Sequence, residues 1–401
     1  MNLPIKKPKI LLPNDKIDLN KWSVIACDQF TSEPNYWNNL FRYVGGVPST
    51  LYLIYPEAFL NEGNQDEYIK RINDTMLDYR KNGVFVEVDD YVLTVRKTSF
   101  GNVRKGLMVS VDLDEYDPFG ALSIRATEKT VKERLPIRIK IRENASLELP
   151  HVMVLLDDAE KRVIEKIYEK VTDDDLLYSF TLNSNGGTLA GYRVRNSSEV
   201  ENALSEVAES HFGNTEKASF YLAVGDGNHS LASAKAVWEK KKKTLTAEQA
   251  ENDLERYALV ELVNLYDDGI KFEPINRIIK NAGDDFLSNL DMGEGRDIDV
   301  IRNGVKSRIK IKGNAPEIIA RIQNYIDEYL STHKNATQDY IHSLEHTVKV
   351  AEEGVAIFMP KIEKDTFFKY IDEHGVLTRK AFSMGKAEEK RYYQEARIIK
   401  E

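Results

Sequence analysis

The sequence predicts an α+β fold. Three observations carry this: apolar stripes at three- and four-residue spacing alternate with runs of β-branched and aromatic residues; no repeat of fixed period is visible; and 42% hydrophobic residues in 401 supply more than one core. A chain of this length corresponds to two or three units. The apolar stretch Trp22–Phe30 breaks into Thr31-Ser32-Glu33-Pro34-Asn35 and reads as a buried strand feeding a polar loop. Residues 65–82 place Tyr68, Ile69, Ile72, Met76, Leu77 and Tyr79 on one helical stripe, stopped by Asn82-Gly83. The runs Val84–Val88, Tyr91–Val95 and Leu107–Leu113, parted by Asp89-Asp90 and Gly101-Asn102, predict a strand meander.

A cationic stretch follows from Arg125 through Lys129, Lys132, Arg134, Arg138 and Lys140 to Arg142, then a strand at His151–Leu156. Helical stripes occupy 161–178 and 199–209, a strand-to-helix unit spans Phe220–Trp238, and Tyr257–Tyr266 is long enough for a strand. Residues 282–340 are mostly polar around the stripe Ile318, Ile319, Ile322, Tyr325, Ile326 and Tyr329, and read as an inserted helical subdomain. The chain returns with a strand at Val355–Met359, a helix at Thr366–Ile371 and the stretch Phe382-Ser-Met-Gly385. The expected division is an α+β region over 1–120, a core from 121–281 and 341–401, and the insertion 282–340.

Composition narrows the function. With 56 Lys+Arg against 65 Asp+Glu the net charge is −9, which disfavours a nucleic-acid backbone as partner. No apolar run approaches the ~20 residues of a membrane span, and no stretch of signal-peptide length follows the first charges. A single cysteine, Cys27, agrees with a reducing compartment, so a cytoplasmic protein without membrane partners is expected.

The segment richest in chemistry is Tyr221-Leu-Ala-Val224-Gly225-Asp226-Gly227-Asn228-His229-Ser230-Leu231. An apolar strand stops at two glycines and a helix begins, so first-turn N–H groups can face an anion such as phosphate. Gly225 and Gly227 let backbone approach a ligand, Asp226 can hold a metal or take a proton, and His229 can donate to a phosphoryl oxygen. A tight turn with a capped helix accounts for the same residues. Neither the Walker spacing nor Gly-x-Gly-x-x-Gly is present. The run Glu239-Lys240-Lys241-Lys242-Lys243 suits a solvated helix end.

That loop, with Cys27-Asp28-Gln29-Phe30-Thr31-Ser32-Glu33-Pro34, Tyr340-Ile341-His342 and Phe382-Ser383-Met384-Gly385, resembles the bacterial domain-of-unknown-function (DUF) 1015 family over nearly the whole chain. The Asp-Gly-x-His element in turn resembles the ParB/sulfiredoxin-like fold, whose members include free-serine kinases. The resemblance implies a ParB/sulfiredoxin-like core and transfer of a phosphoryl group from ATP or ADP, with Mg2+, to the hydroxyl of free L-serine. Sulfiredoxin chemistry needs a cysteine where Asn228 stands. Related loops commonly carry arginine where Ser230 stands, so another cation must serve: Arg125, Lys129 or Arg277. A serine hydroxyl needs a carboxylate to accept its proton, for which Glu128, Asp226 and Glu33 are candidates, and Asp226 is the preferred metal ligand. Through the resemblance, Gly225, Gly227, Asn228, Ser230, Arg125 and Lys129 are expected at the nucleotide, and Arg277 and His342 at the substrate.

A different chemistry is possible at His342-Ser-Leu-Glu345-His346, which matches the His-x-x-Glu-His pattern of inverted zinc peptidases, with Glu363, Glu373, Glu388 or Glu389 as third ligand. Thr347-Val-Lys-Val350 favours a strand there instead of the continuing helix that site requires. Two other activities share the anion loop: a metal-dependent hydrolase of a phosphorylated metabolite, and a nucleotide or phospho-metabolite sensor without catalysis. Oligomeric state has no signature in the sequence.

Overall fold

The computed structural model describes residues 3–26, 30, 34–59, 63–118, 122–130, 133, 135–211, 220–342, 347 and 354–401. The chain forms two compact units, one from residues 1–126, 130–270 and 387–401, the other from 127–129 and 271–386. No helix among the described residues is long and apolar enough to cross a membrane.

The first unit is built on a ten-stranded mixed sheet. Its main strands are Tyr91–Lys97 (β1), Val103–Asp112 (β2), Ile124–Ala126 (β3), Met153–Leu156 (β4), Leu176–Thr181 (β5), Thr188–Val194 (β6), Leu222–Asp226 (β7) and Tyr257–Asn264 (β8). They lie in the order β5-β6-β1-β2-β8-β4-β7-β3; the short strand Tyr116–Asp117 adds to β3 and Ile5–Lys6 to β2. β4 runs parallel to β8 and antiparallel to β7, and β7 runs parallel to β3. The helices include Gln65–Lys81 (α1), Leu135–Glu143 (α2), Ser197–Ser210 (α3) and Asn228–Lys242 (α4).

Period-two alternation sorts the strands onto two faces. Val154, Leu156, Leu222, Val224, Val260 and Leu262 join one core with Val200 and Leu204 of α3 and Leu231 and Trp238 of α4. Residues between them, Glu261 above all, point to the other face, where a smaller cluster around Val92, Met108, Leu259 and Tyr392 packs. Gly106 of β2 makes room for Glu261: a Cβ there would stand 2.3 Å from its Oε1. Gly106→Ala is therefore expected to lower stability by about 1–3 kcal/mol, read from the urea midpoint.

The 65–82 stripe is α1, burying Ile69, Ile72, Met76 and Tyr79, with Asp66 and Glu67 in its first turn and Arg80 and Lys81 in its last, as its dipole favours. The 161–178 stripe is corrected: only Ile164–Tyr168 is helical, because Thr172 and Asp175 form a capping box that starts a 3-10 turn, and Leu176 then enters β5 against β6. At the end of α3, His211 Nε2 lies 2.9 Å from Asp157 Oδ2. That hydrogen bond is the main reason the imidazole pKa lies above its ordinary value, against the opposing effect of burial. The raised native value means the pair stabilises fully below pH ~6.5 and loses this contribution as pH rises through the native pKa. The melting-temperature gap between wild type and His211→Gln should narrow across that window.

The second unit contains Asn276–Lys280 (β9), Arg296–Arg302 (β10), Val305–Ile311 (β11), Thr337–Ile341 (β12) and Gly354–Ile357 (β13), in the order β11-β10-β13-β9-β12. Its helices include Ala315–Thr332 (α5), opened by an Asn314/Glu317 capping box with Pro316 in the first turn, and Lys364–His374 (α6). Residues 282–340 are thus not a helical insertion alone: they contain β10, β11 and β12, and β10 pairs with β13 while β12 pairs with β9. Buried Ile298 and Val300 alternate with exposed Asp297 and Asp299, a half-buried strand inside a polar composition. The division also differs from the expected one, since β1 and β2 share a sheet with β7, and 271–281 and 354–386 group with 282–340.

Candidate functional site

β7 ends on Asp226 and α4 begins at Asn228, with Gly227 between them at φ +84°. Glycine is required twice over here: the left-handed φ is strained for other residues, and a Cβ would lie 2.9 Å from Val152 Cγ2 and 3.0 Å from its Cα. As N-cap, Gly227 contributes no side-chain hydrogen bond to the first turn of this 15-residue helix, and no acidic residue lies within that turn. Asn228, His229 and Ser230 occupy that turn and, like Gly225, are half-buried. The His229 carbonyl accepts the Ser233 hydroxyl at 2.7 Å. Asn228 Oδ1 is buried and has no hydrogen-bond partner among the described residues.

Asp226 has two anchors. Its Oδ1 accepts the Gly227 N–H at 2.9 Å, and its Oδ2 lies 3.0 Å from Lys390 Nζ. The aspartate side chain is 34% exposed and that of the lysine 10%, so one partner reaches solvent while the other is packed. Across the sheet, Asp226 stands opposite Met153, which stands opposite Glu261. The glutamate carboxylate is met by Arg391 at 2.9 Å, by Arg104 at 3.7 Å and by the Thr94 hydroxyl at 3.0 Å. Burial pushes its pKa up, but the two guanidinium charges and the hydroxyl outweigh burial and hold it below the ordinary carboxylate range.

The expected residues fall into two groups. Gly225, Asp226, Gly227, Asn228, His229 and Ser230 form the loop in the first unit, and Arg125 stands beside it on β3, opposite Ala223. Arg125 is not a solvated edge cation: it is buried, donates from Nε to the Leu122 carbonyl at 3.1 Å, and stacks 4.2 Å over the Phe220 ring. Glu128, Lys129, Arg277 and His342 belong to the second unit. There Glu128 accepts the Ala381 N–H at 3.2 Å, and the exposed Lys129 donates its backbone N–H to Leu377. Arg277 is fully buried, bonded to Gln323 Oε1 at 2.8 Å and to the Ile275 carbonyl, with Tyr340 under its guanidinium at 4.8 Å. Burial lowers its pKa to about 10, opposed by Tyr340 and Glu128. His342, half-buried, follows β12 directly.

Glu33 and the Glu345-His346 end of the zinc pattern lie outside the described residues. Among the described residues no group of three or more His, Cys, Asp or Glu is placed to hold a metal ion. The residue that sequence reasoning missed is Lys390. Glu388-Glu-Lys-Arg391 reads as a solvated charge run; only the apolar residues after it, Tyr392, Tyr393, Ala396 and Ile399, signal that the segment is interior.

Comparison with solved structures gives remote likenesses. A free serine kinase in complex with AMP matches at 12% identity and a TM-score of 0.39, covering 73% of this chain and 92% of that one. A conserved hypothetical protein from Pyrococcus furiosus matches at 13% and 0.34, covering 72% and 90%. SbnI from Staphylococcus aureus, with a C-terminal truncation, matches at 8% and 0.38, covering 69% and 82%. Scores of this size carry no functional argument. No curated protein matches the chain. The family model described as a protein of unknown function, DUF1015, matches residues 11–376, and with nine-tenths of its length inside that match the chain belongs to the DUF1015 family.

Proposed function

We propose that this protein is a small-molecule kinase that transfers a phosphoryl group from ATP or ADP to the hydroxyl of free L-serine, yielding O-phosphoserine. The observation that carries the reading is the Asp226–Lys390 pair, 3.0 Å apart at the glycine-capped first turn of α4. Phosphoryl transfer needs little covalent chemistry from the protein; positioning and charge do most of the work. The helix terminus supplies positive potential for the phosphates, and His229 and Ser230 sit in the same turn to donate to phosphoryl oxygens.

Each Asp226 oxygen already accepts one donor and keeps a further lone-pair direction, and the side chain reaches solvent. One oxygen would accept the serine proton while the serine oxygen bonds to the terminal phosphorus and the bond to the nucleotide leaving oxygen breaks, releasing ADP from ATP or AMP from ADP. The other would hold magnesium. A single carboxylate suits that ion, which would neutralise phosphate charge when bound. Asn228 Oδ1, a buried acceptor in the same turn, suits a donor on the ligand, such as the serine ammonium or a ribose hydroxyl.

The test is incubation of purified protein with L-serine, Mg2+ and ATP or ADP, followed by mass spectrometry for phosphoserine. Phosphoserine formation is expected. Phosphate release without phosphoserine points to the hydrolase, and nucleotide binding without turnover to the sensor; either result overturns the kinase assignment.

A further inference from the structure

The segment that carries Lys390 is fixed at three successive carbonyls by two buried arginines. Arg96 donates from Nη2 to the Glu388 carbonyl at 2.7 Å and from Nη1 to the Lys390 carbonyl at 3.2 Å, while Arg104 donates from Nη1 to the Glu389 carbonyl at 2.9 Å. The guanidiniums are themselves interior. Arg96 is further tied to the Gly186 carbonyl from both Nε and Nη2, at 2.9 and 2.7 Å. On either side of Lys390 the side chains are also committed: Glu389 accepts from Asn102 at 2.6 Å and Thr98 at 3.2 Å, and Arg391 pairs with Glu261 at 2.9 Å. A backbone held this way delivers one lysine to one place, and that place is the Asp226 carboxylate.

We infer that Lys390 is a phosphate-binding residue of this site, presented by the Arg96–Arg104 clamp; the inference rests on the phosphotransfer reading and names the cation that meets the nucleotide phosphates. An ammonium has three N–H donors and can hold a carboxylate and a phosphate oxygen together. Because its side chain is packed rather than solvated, the lysine loses little rotamer freedom on binding. A lysine serving only to neutralise Asp226 would need neither ligand nor clamp, and the two roles give different binding data.

The experiment is calorimetric titration of ADP in EDTA, so that neither turnover nor magnesium affects the readout. Lys390→Met should bind ADP about ten- to hundredfold more weakly than wild type, the range expected for one charge-assisted hydrogen bond. Lys390→Arg should recover most of that loss, since the charge and donors remain. Asp226→Asn should bind ADP as tightly as wild type or more so, because it removes a negative charge beside the phosphates. Lys390→Gln, which keeps a polar end, is the second variant if Lys390→Met does not fold, and it should also weaken binding. Equal affinity in wild type and the Met or Gln variant overturns the inference while leaving the kinase reading standing. Equal weakening by Asp226→Asn and Lys390→Met also overturns it, because the pair would then be structural. Wild-type protein that takes up no ADP or ATP overturns the kinase reading, and the inference with it.

Discussion

Asp226→Asn is expected to slow phosphoserine formation by about 10²- to 10⁴-fold at saturating nucleotide and serine, the span typical of removing a positioned proton acceptor. Asparagine has the same shape and keeps an acceptor for the Gly227 N–H, so the turn at φ +84° should persist. What disappears is the charge that draws the serine proton and offers magnesium a ligand. Stability should change little, by about 0–1 kcal/mol, because the aspartate side chain is one-third exposed and solvent screens its pairing with Lys390. The loss should fall on kcat rather than on nucleotide affinity, which separates this residue from Lys390. Steady-state kinetics by coupled AMP or ADP detection measure both parameters. Full turnover by the asparagine variant would remove Asp226 from the chemistry.

The loop could be read from sequence because its signals are local. Two glycines between an apolar run and a helical stripe specify a strand, a left-handed residue and a helix start within a few positions, and Gly225 to Ser230 fall on that transition. The α1 and α5 stripes and the strands on either side of Gly101-Asn102 were legible for the same reason. Lys390 was not, because its placement depends on Arg96 and Arg104, nearly three hundred residues earlier, and charge runs carry no sign of what they meet in space. Residues 282–340 misled in a related way. A half-buried edge hairpin spends every second residue on solvent, so β10 and β11 look like polar filler until β10 is seen paired with β13. Arg125 and Arg277 look alike in sequence as candidate phosphate clamps, yet both are buried, one against Phe220 and the other against Gln323 and Tyr340.

Glu261→Gln should destabilise the first unit by about 3–5 kcal/mol, the largest stability loss expected of a single near-isosteric change here. The carboxylate is 2% exposed and sits among Arg391, Arg104 and, farther off, Arg96, all interior. An amide retains an acceptor for the Thr94 hydroxyl but leaves guanidinium charges without their counter-ion in a region where water cannot replace it. Arg391 has a second carboxylate, Glu395, and Arg104 has the Glu389 carbonyl, so the clamp should loosen rather than vanish. The pairing also has a pH signature. A carboxyl held below its ordinary range contributes stability that is present above the unfolded pKa of ~4.3 and lost as pH falls through the native value. Wild type should therefore lose more stability than Glu261→Gln on acidification below that point, and the two urea midpoints should converge. The double variant Glu261→Gln with Arg391→Met removes both members of the 2.9 Å pair and should be less destabilised than the sum of its singles, the sign of direct coupling. Additive losses would mean that the two residues support the Lys390 segment independently, and the clamp would then rest on Arg96 and Arg104 alone.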